Sequence, residues 1–398
     1  MSHSAATANK SNDDFLQLSV VHSISEIDTQ DWNRNIPSDC PFLRHEFLRA
    51  LEDTGCVSEH TGWIPIHIVI RNTQGRNAST VAVTPMYLKN HSHGEFIFDW
   101  QWASAYHRAG QRYYPKIVIQ APFTPLSAPK LLMSDEINRE RIMEKLIIAS
   151  HKLADQCAAS SIHWLFVPYE EMRVLKQNGL IERCSTYEYV WNNPGYSSME
   201  DFLSTLMRRK RKKIRQERKS VSSQGVSLEA ISGDDIQDRH WEIFDRFYRR
   251  TVNKYHSNMY LNKDFFHQIG ESMSENLVLF LARISGEPIA GSLCLQGGGK
   301  LFGRYWGTLH DMSNLHFETC YYSAIEYCIE NSIQTYNAGV QGEHKLSRGF
   351  LPSSAYSAHF IQHPAFAKAI GEHVEYEKTY YRSLEHELNA SSAFSKPQ

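Results

Sequence analysis

The sequence predicts an α/β (α+β) protein of two lobes, each a mixed sheet flanked by helices. Three observations lead there. The chain has 398 residues, more than one ordinary core fills and enough for two units of roughly 150–200 residues. Strand-like and helix-like periodicities alternate along it. A cluster of backbone breakers, Asn192-Asn193-Pro194-Gly195, falls near the middle, and each side repeats one order of elements: helical segments, a hairpin, a strand, a connection, a helix, a strand. Residues 63–100 correspond to 277–306, and 136–167 to 318–338. The expected division is a disordered tail at 1–14, a first lobe at 15–193, a second at 194–388 and a flexible tail at 389–398.

Composition narrows the classes. Hydrophobic residues make up 41% and charged residues 22%, the make-up of a globular chain and not of a disordered one. The net charge of −2 points to no partner by itself, although the cations are unevenly placed. Seven cysteines, at 40, 56, 157, 184, 294, 320 and 328, are odd in number, scattered and never in a CxxC pair. That speaks for reduced thiols and against a disulfide frame or a zinc site, so no metal is expected. No apolar run reaches the ~20 residues of a membrane span, and the opening stretch MSHSAATANKSNDDF lacks a signal-peptide core. The expectation is a soluble, cytoplasmic protein with no transmembrane segment.

In the first lobe the patterns give a strand at 15–21, helices at 28–35 and 42–51, and a hairpin of 64–70 with 80–88. Strands at 96–100 and 113–120 follow, with a Trp-, Tyr-, His- and Arg-rich loop between them. A long helix at 136–158, a strand at 162–167, a helix at 169–177 ended by Asn178-Gly179 and a strand at 187–191 complete it. The second lobe opens with a helix at 199–220. Strand 226–231, helices 236–251 and 263–273, a hairpin of 277–284 with 289–295, and strand 300–305 come next. A loop at 307–317, helix 318–330, a strand to 338, strand 356–361 and helix 365–388 close the series.

Two stretches carry chemistry. The opening helix of the second lobe holds Arg208, Arg209, Lys210, Arg211, Lys212, Lys213, Arg215, Arg218 and Lys219. Such a density of like charge repels itself unless a polyanion neutralises it. Arg208, Arg211, Lys212 and Arg215 are therefore candidates to bind phosphate on RNA, a nucleotide-bearing donor or anionic lipid; the plain alternative is a solvated face. The second stretch, Gln341-Gly342-Glu343-His344-Lys345-Leu346-Ser347-Arg348-Gly349-Phe350, follows the strand ending at Ala338. A carboxylate beside an imidazole supplies a base near neutral pH, and Lys345 and Arg348 are able to hold an anion. A polar loop facing water is the competing reading.

With those residues stated, the chain resembles the FemAB-like N-acyltransferases. The likeness rests on 317–328 (FETCYYSAIEYC), 336–345 (YNAGVQGEHK) and Arg348-Gly349-Phe350-x-Pro352, with support from the basic helix and from Pro41-Phe42-Leu43-x-His45-x-Phe47-Leu48. It covers residues 15–385. The resemblance implies tandem GNAT-like lobes and transfer of an acyl or aminoacyl group to an amine. It also implies no tightly bound cofactor, acyl-CoA or aminoacyl-tRNA as donor, and an amine-bearing acceptor, with tRNA or a phosphorylated precursor as partner. One departure stands out. The glycine-rich turn on which GNAT enzymes seat the CoA pyrophosphate has no counterpart: 310–316 reads HDMSNLH, and 101–115 holds only Gly110. This lowers acetyl-CoA as donor.

Amide formation needs a base to take a proton from the amine and a donor for the tetrahedral oxyanion. The expected assignment is Glu343 and His344 as the base pair, Lys345 at the oxyanion and Arg348 on a substrate phosphate or carboxylate. Gln341, Tyr305, Trp306 and His316 are expected to line the cleft, with Glu318 either beside them or serving a helix dipole. Cys320 and Cys328 read as core thiols. The rival from another class is a non-catalytic RNA- or anionic-surface-binding protein that uses 208–219.

Overall fold

A computed structural model describes residues 15–73, 78–133 and 138–395; the expected tail at 1–14 lies outside the described residues. The first half runs β1 (Leu16–Val21), α1 (Thr29–Asn33), α2 (His45–Asp53), β2 (Trp63–Pro65), β3 (His67–Asn72), β4 (Ser79–Thr84), β5 (Met86–Lys89), α3 (Trp100–Arg108), β6 (Lys116–Ile119), β7 (Leu132–Met133), α4 (Arg139–Gln156), β8 (Ser161–Val167), α5 (Tyr169–Gln177) and β9 (Ile181–Asn192). The second half runs α6 (Met199–Thr205), α7 (Arg208–Ser222), β10 (Val226–Ser232), α8 (Asp238–Lys254), α9 (Lys263–Ser272), β11 (Leu277–Ile284), β12 (Glu287–Gly297), β13 (Lys300–Thr308), α10 (Leu315–Phe317), a π-turn (Glu318–Tyr322), α11 (Ser323–Glu330), β14 (Thr335–Val340), β15 (Leu351–Ile361) and α12 (Pro364–Ala390).

Eleven strands form one sheet in the order β10-β11-β12-β13-β14-β9-β15-β8-β6-β5-β2, and β1-β3-β4-β7 form a second. The expected hairpin of 64–70 with 80–88 is therefore split between two sheets. Pro65 and Pro85, which have no N–H to give a ladder, stand at the two breaks. At the centre the last strands of the halves trade neighbours. β9 pairs with β14 through Tyr336↔Trp191 and with β15 through Ser354↔Tyr187, while β15 continues to β8 through His359↔His163. Hydrogen bonding thus runs unbroken between the halves, leaving no free edge between them.

Helices cover both faces. On one, α8 buries Trp241, Phe244, Phe247 and Tyr248 and presses so closely on β13 that a Cβ at Gly307 would lie 2.2 Å from the Phe247 backbone. On the other, the π-turn and α11 pack Tyr321, Tyr322, Ile325 and Cys328 into a cluster with Trp191 and Tyr336.

Three expectations fail for identifiable reasons. No strand forms at 96–100: Phe96 takes φ 64°, and Asp99 caps α3 while its carboxylate pairs with buried Lys116. The helix expected over 199–220 is two helices. The chain is extended at Leu206 and Met207, where Leu206 bridges to Phe394 and Met207 N–H donates to the Ala393 carbonyl. That same contact corrects the flexible tail, because Phe394 is buried and Ser395 N–H donates to the Thr205 carbonyl.

Candidate active site

The sheet opens in its second half. Parallel strands β13 and β14 pair only over Lys300–Phe302 and Thr335–Asn337. Beyond that β13 stays with β12 as far as Thr308, while β14 leans to β9 with an irregular register between Asn337 and Val340. The backbone there is left-handed at Gly339 (φ 74°), Gln341 (φ 65°) and Gly342 (φ 91°), which glycine tolerates and glutamine does not readily. A cavity of about 300 Å³ fills the divergence, walled by Arg304 and Tyr305 of β13, by 338–341, by Phe123 from the first half and by Tyr248 and Tyr260.

Two polar groups in this wall have no good partner outside themselves. The Tyr305 hydroxyl and Arg304 Nε are both buried; the Arg304 guanidinium is the hydroxyl's polar neighbour, and neither atom makes a well-formed hydrogen bond to another described residue. The guanidinium lies 5.1 Å from the Tyr305 ring and 5.7 Å from that of Phe42, and its Nη2 donates to the Phe123 carbonyl. Burial pushes the Tyr305 phenol up, so it stays an O–H donor. An unpaired buried donor costs about 1–3 kcal/mol.

Of the expected liners, Tyr305 and Gln341 meet at this cavity. Trp306 does not, since past the register shift that takes Arg304 out of the alternation consecutive residues face opposite ways: Tyr305 packs on Tyr248 and Phe266, whereas Trp306 packs on His316. The opposite face carries an imidazole and aromatic cluster of His316, Phe317, Tyr321 and His344. His344 Nε2 is 3.0 Å from Tyr321 Oη. Burial lowers the His344 imidazole, helped by the Arg348 and Lys345 charges, and lowers His316 to about 4. Both rings are neutral bases at neutral pH.

The rest of the charged loop is built differently from its expected roles. A 3₁₀ turn runs Glu343–Arg348. Glu343 is exposed and makes no hydrogen bond to His344, so the two do not form a base pair. Lys345 is buried, and its ammonium faces the carbonyls of Ala338 (2.8 Å), Gly339 and Val340 (3.2 Å each). With three N–H donors and three acceptors, it has none left for an oxyanion; it holds the curled end of β14. Burial lowers its pKa to about 8. Arg348 is not a substrate anchor either. Its Nη2 donates to both Glu217 oxygens at 2.9 Å, Nε to Tyr322 and Nη1 to the His344 carbonyl, and Phe317 covers its face at 3.5 Å. Glu318 accepts from Arg218 at 3.0 Å rather than facing the cavity. Cys320 and Cys328 are buried with thiols pushed up by burial, unsuited to nucleophilic attack.

The basic helix is partly compensated. Arg215 pairs with Glu200, Arg218 with Glu318 and Glu326, and Arg211 donates to the Ser204 carbonyl. Arg208 and Lys212 are exposed at an N-terminal end with no acid in its first turn, the reverse of what the helix dipole favours. Sequence reasoning missed Arg304, although its place between Gly303 and Tyr305 was a signal, and it missed Glu217, the one acid in the run, which buries itself as the Arg348 partner.

The chain belongs to the FemAB-like family, described as peptidoglycan biosynthesis/recognition, whose model matches residues 23–396. Its fold is similar to that of FemX (TM-score 0.53, 13% identity, 89% of this chain and 100% of that one). It is equally similar to the C-terminal DUF2156 domain of a putative lysylphosphatidylglycerol synthetase from Agrobacterium fabrum (TM-score 0.53, 10% identity, 89% and 96%). A tandem GNAT protein from the clavulanic acid biosynthesis pathway gives a TM-score of 0.47 at 9% identity, over 88% and 99%. No curated protein matches the sequence. The fold is the one shared with FemX and the DUF2156 domain, in two lobes. In the second, the segment that would receive a CoA pyrophosphate presents Asp311, paired with Lys254 and Arg250, and Asn314 in place of a glycine turn, a poor fit to that group. Among the described residues no group of three His, Cys, Asp or Glu is placed to hold a metal ion, and no helix is long and apolar enough to cross a membrane.

Proposed function

We propose that the protein is a transferase that moves an activated acyl or aminoacyl group onto an amine, with the cavity between β13 and β14 as the reaction site. The observation that carries the reading is the pair of buried donors without a well-formed hydrogen bond, Tyr305 Oη and Arg304 Nε, in the wall of the opening. The acyl carbonyl of the donor lies between the strands, and these two groups donate to its oxygen as negative charge develops there. His344, beside Tyr321 on the opposite face, takes no part at this cavity. The amine enters as the free base and attacks the acyl carbon, and its proton leaves with the donor's leaving group as the amide forms. Lys345 and Arg348 act one step back, holding the strand end and the turn that carry Gln341 and His344. Aminoacyl-tRNA suits the missing CoA cradle and the unpaired Arg208 and Lys212 better than acyl-CoA does, and the acceptor is an amine on a precursor of the peptidoglycan that the family description names. The test is a mass-spectrometric transfer assay with acetyl-CoA, longer acyl-CoAs and charged tRNA as donors and UDP-linked peptidoglycan precursors as acceptors. An amide product with any donor, lost in Tyr305→Phe, supports the reading; a product unaffected by Tyr305→Phe contradicts the site.

The second reading, a non-catalytic protein that binds RNA or an anionic surface, is favoured by the exposed Arg208 and Lys212 alone. It predicts tight RNA binding without any product, abolished by neutralising 208–219 and untouched by changes at Tyr305.

A further inference from the structure

A second cavity, of about 160 Å³, lies under α12 where it crosses β9 and β15, walled by Tyr169, Tyr187, Tyr356, Tyr381, Arg382 and Glu385. It shares no lining residue with the cavity between β13 and β14. Four tyrosine rings surround it. Tyr169 and Tyr356 meet at 5.4 Å, as do Tyr187 and Tyr381 at 6.1 Å, and Tyr169 is left 54% exposed at the mouth.

The charges of the wall are unevenly settled. Glu182 is shared by Lys176 and Lys378, and Lys378 reaches Glu375 as well, so that chain of four charges cancels. Arg382 and Glu385 remain. They stand three apart on α12, a spacing at which side chains meet, yet they form no ion pair with each other or with another described residue. Glu385 is only partly exposed, and its charge bears on Cys184, Tyr187 and Tyr356 inside the cavity. A carboxylate beside a wall of ring faces favours a cation. The Arg382 guanidinium stands exposed at the rim beside them, free to take a ligand carboxylate.

We propose that this cavity binds a free α-amino acid, its ammonium against Glu385 and the tyrosine rings and its carboxylate on Arg382. The zwitterion is the smallest ligand that satisfies both residual charges and leaves the site neutral. The inference does not depend on the transferase reading, because it uses none of that site's residues.

The experiment is isothermal titration of the full-length protein with glycine, L-alanine, L-serine and L-lysine. N-acetyl-L-alanine and L-alanine methyl ester serve as ligands that each lack one charge. The expected result is saturable binding of at least one free amino acid and binding about tenfold or more weaker for the two blocked forms, the cost of one charge-assisted hydrogen bond. Glu385→Gln and Arg382→Gln, each checked by thermal unfolding without ligand, should weaken the free amino acid by a similar factor. No heat with any of the four amino acids would overturn the proposal. So would blocked forms that bind as well as the free one, or binding that survives both substitutions and therefore lies elsewhere.

Discussion

In the first lobe, parallel strands β6 and β8 pair over Ile117–Ile119 and Ile162–Trp164, and the chain itself takes the space beyond. Ala128 N–H donates to the Phe166 carbonyl, and the Lys130 ammonium bonds the Ala128 and Phe166 carbonyls, leaving only about 20 Å³ beside that loop. In the second lobe, β13 and β14 part in the same way after three pairs, but nothing enters, and about 300 Å³ stays open. Each split has a buried lysine that binds backbone carbonyls, and burial lowers both Lys130 and Lys345 to about 8. The lysine is thus the shared device for ending a splayed strand. What separates a filled split from a site is the plugging loop in the first lobe and the Tyr305 and Arg304 donors in the second.

The largest effect expected is on the ion pair that holds the open side together. Glu217→Ala leaves Arg348 charged, buried and unpaired, and should cost about 3–5 kcal/mol of stability in urea unfolding; a loss below 1 kcal/mol would mean that the 3₁₀ turn does not depend on that pair. Next is Tyr305→Phe, which removes a donor that makes no well-formed hydrogen bond in the fold. Turnover should fall about a hundredfold while unfolding stability changes by less than about 0.5 kcal/mol. An equal loss of both would make Tyr305 a core residue only.

Lys130→Met and Lys345→Met put the comparison directly. Each orphans two or three carbonyls and should cost about 1–3 kcal/mol, but only Lys345→Met should slow transfer. Both folded-state pKa values lie below the ordinary 10.5, so between pH 8 and 10 the unfolded chain binds more protons than the folded one. Stability should therefore rise with pH across that window, and each substitution should flatten the rise. The smallest effect is at Arg208→Gln with Lys212→Gln, which should leave stability within about 0.5 kcal/mol while weakening retention on immobilised tRNA.

The periodicities were enough for the two lobes, because each strand and helix buries a face whose spacing is written locally. α8 and β11 follow their patterns closely. Long-range partners were not legible. Nothing near Asp99 or Phe394 in sequence announces Lys116 or Leu206, and those contacts decide where α3 begins and where 199–220 breaks. The site was legible by region and not by role. Of the stretch 341–348 only Gln341 lines the opening, and its two most obvious cations point inward. A lysine or arginine beside glycines reads alike whether its partner is a substrate or the protein's own carbonyls, and only the fold tells which. Arg304 and Tyr305 gave the weaker signal and hold the donors at the opening.

The most direct measurement is the thermal shift caused by activated acyl donors in the wild type and in Val340→Phe, which places a larger side chain in the wall of the open split. Acyl-CoAs and charged tRNA are the panel. If the open split is the acyl site, at least one donor raises the melting temperature of the wild type, and that shift disappears in Val340→Phe with the unliganded protein still folded. An undiminished shift in Val340→Phe would place donor binding elsewhere and contradict the account.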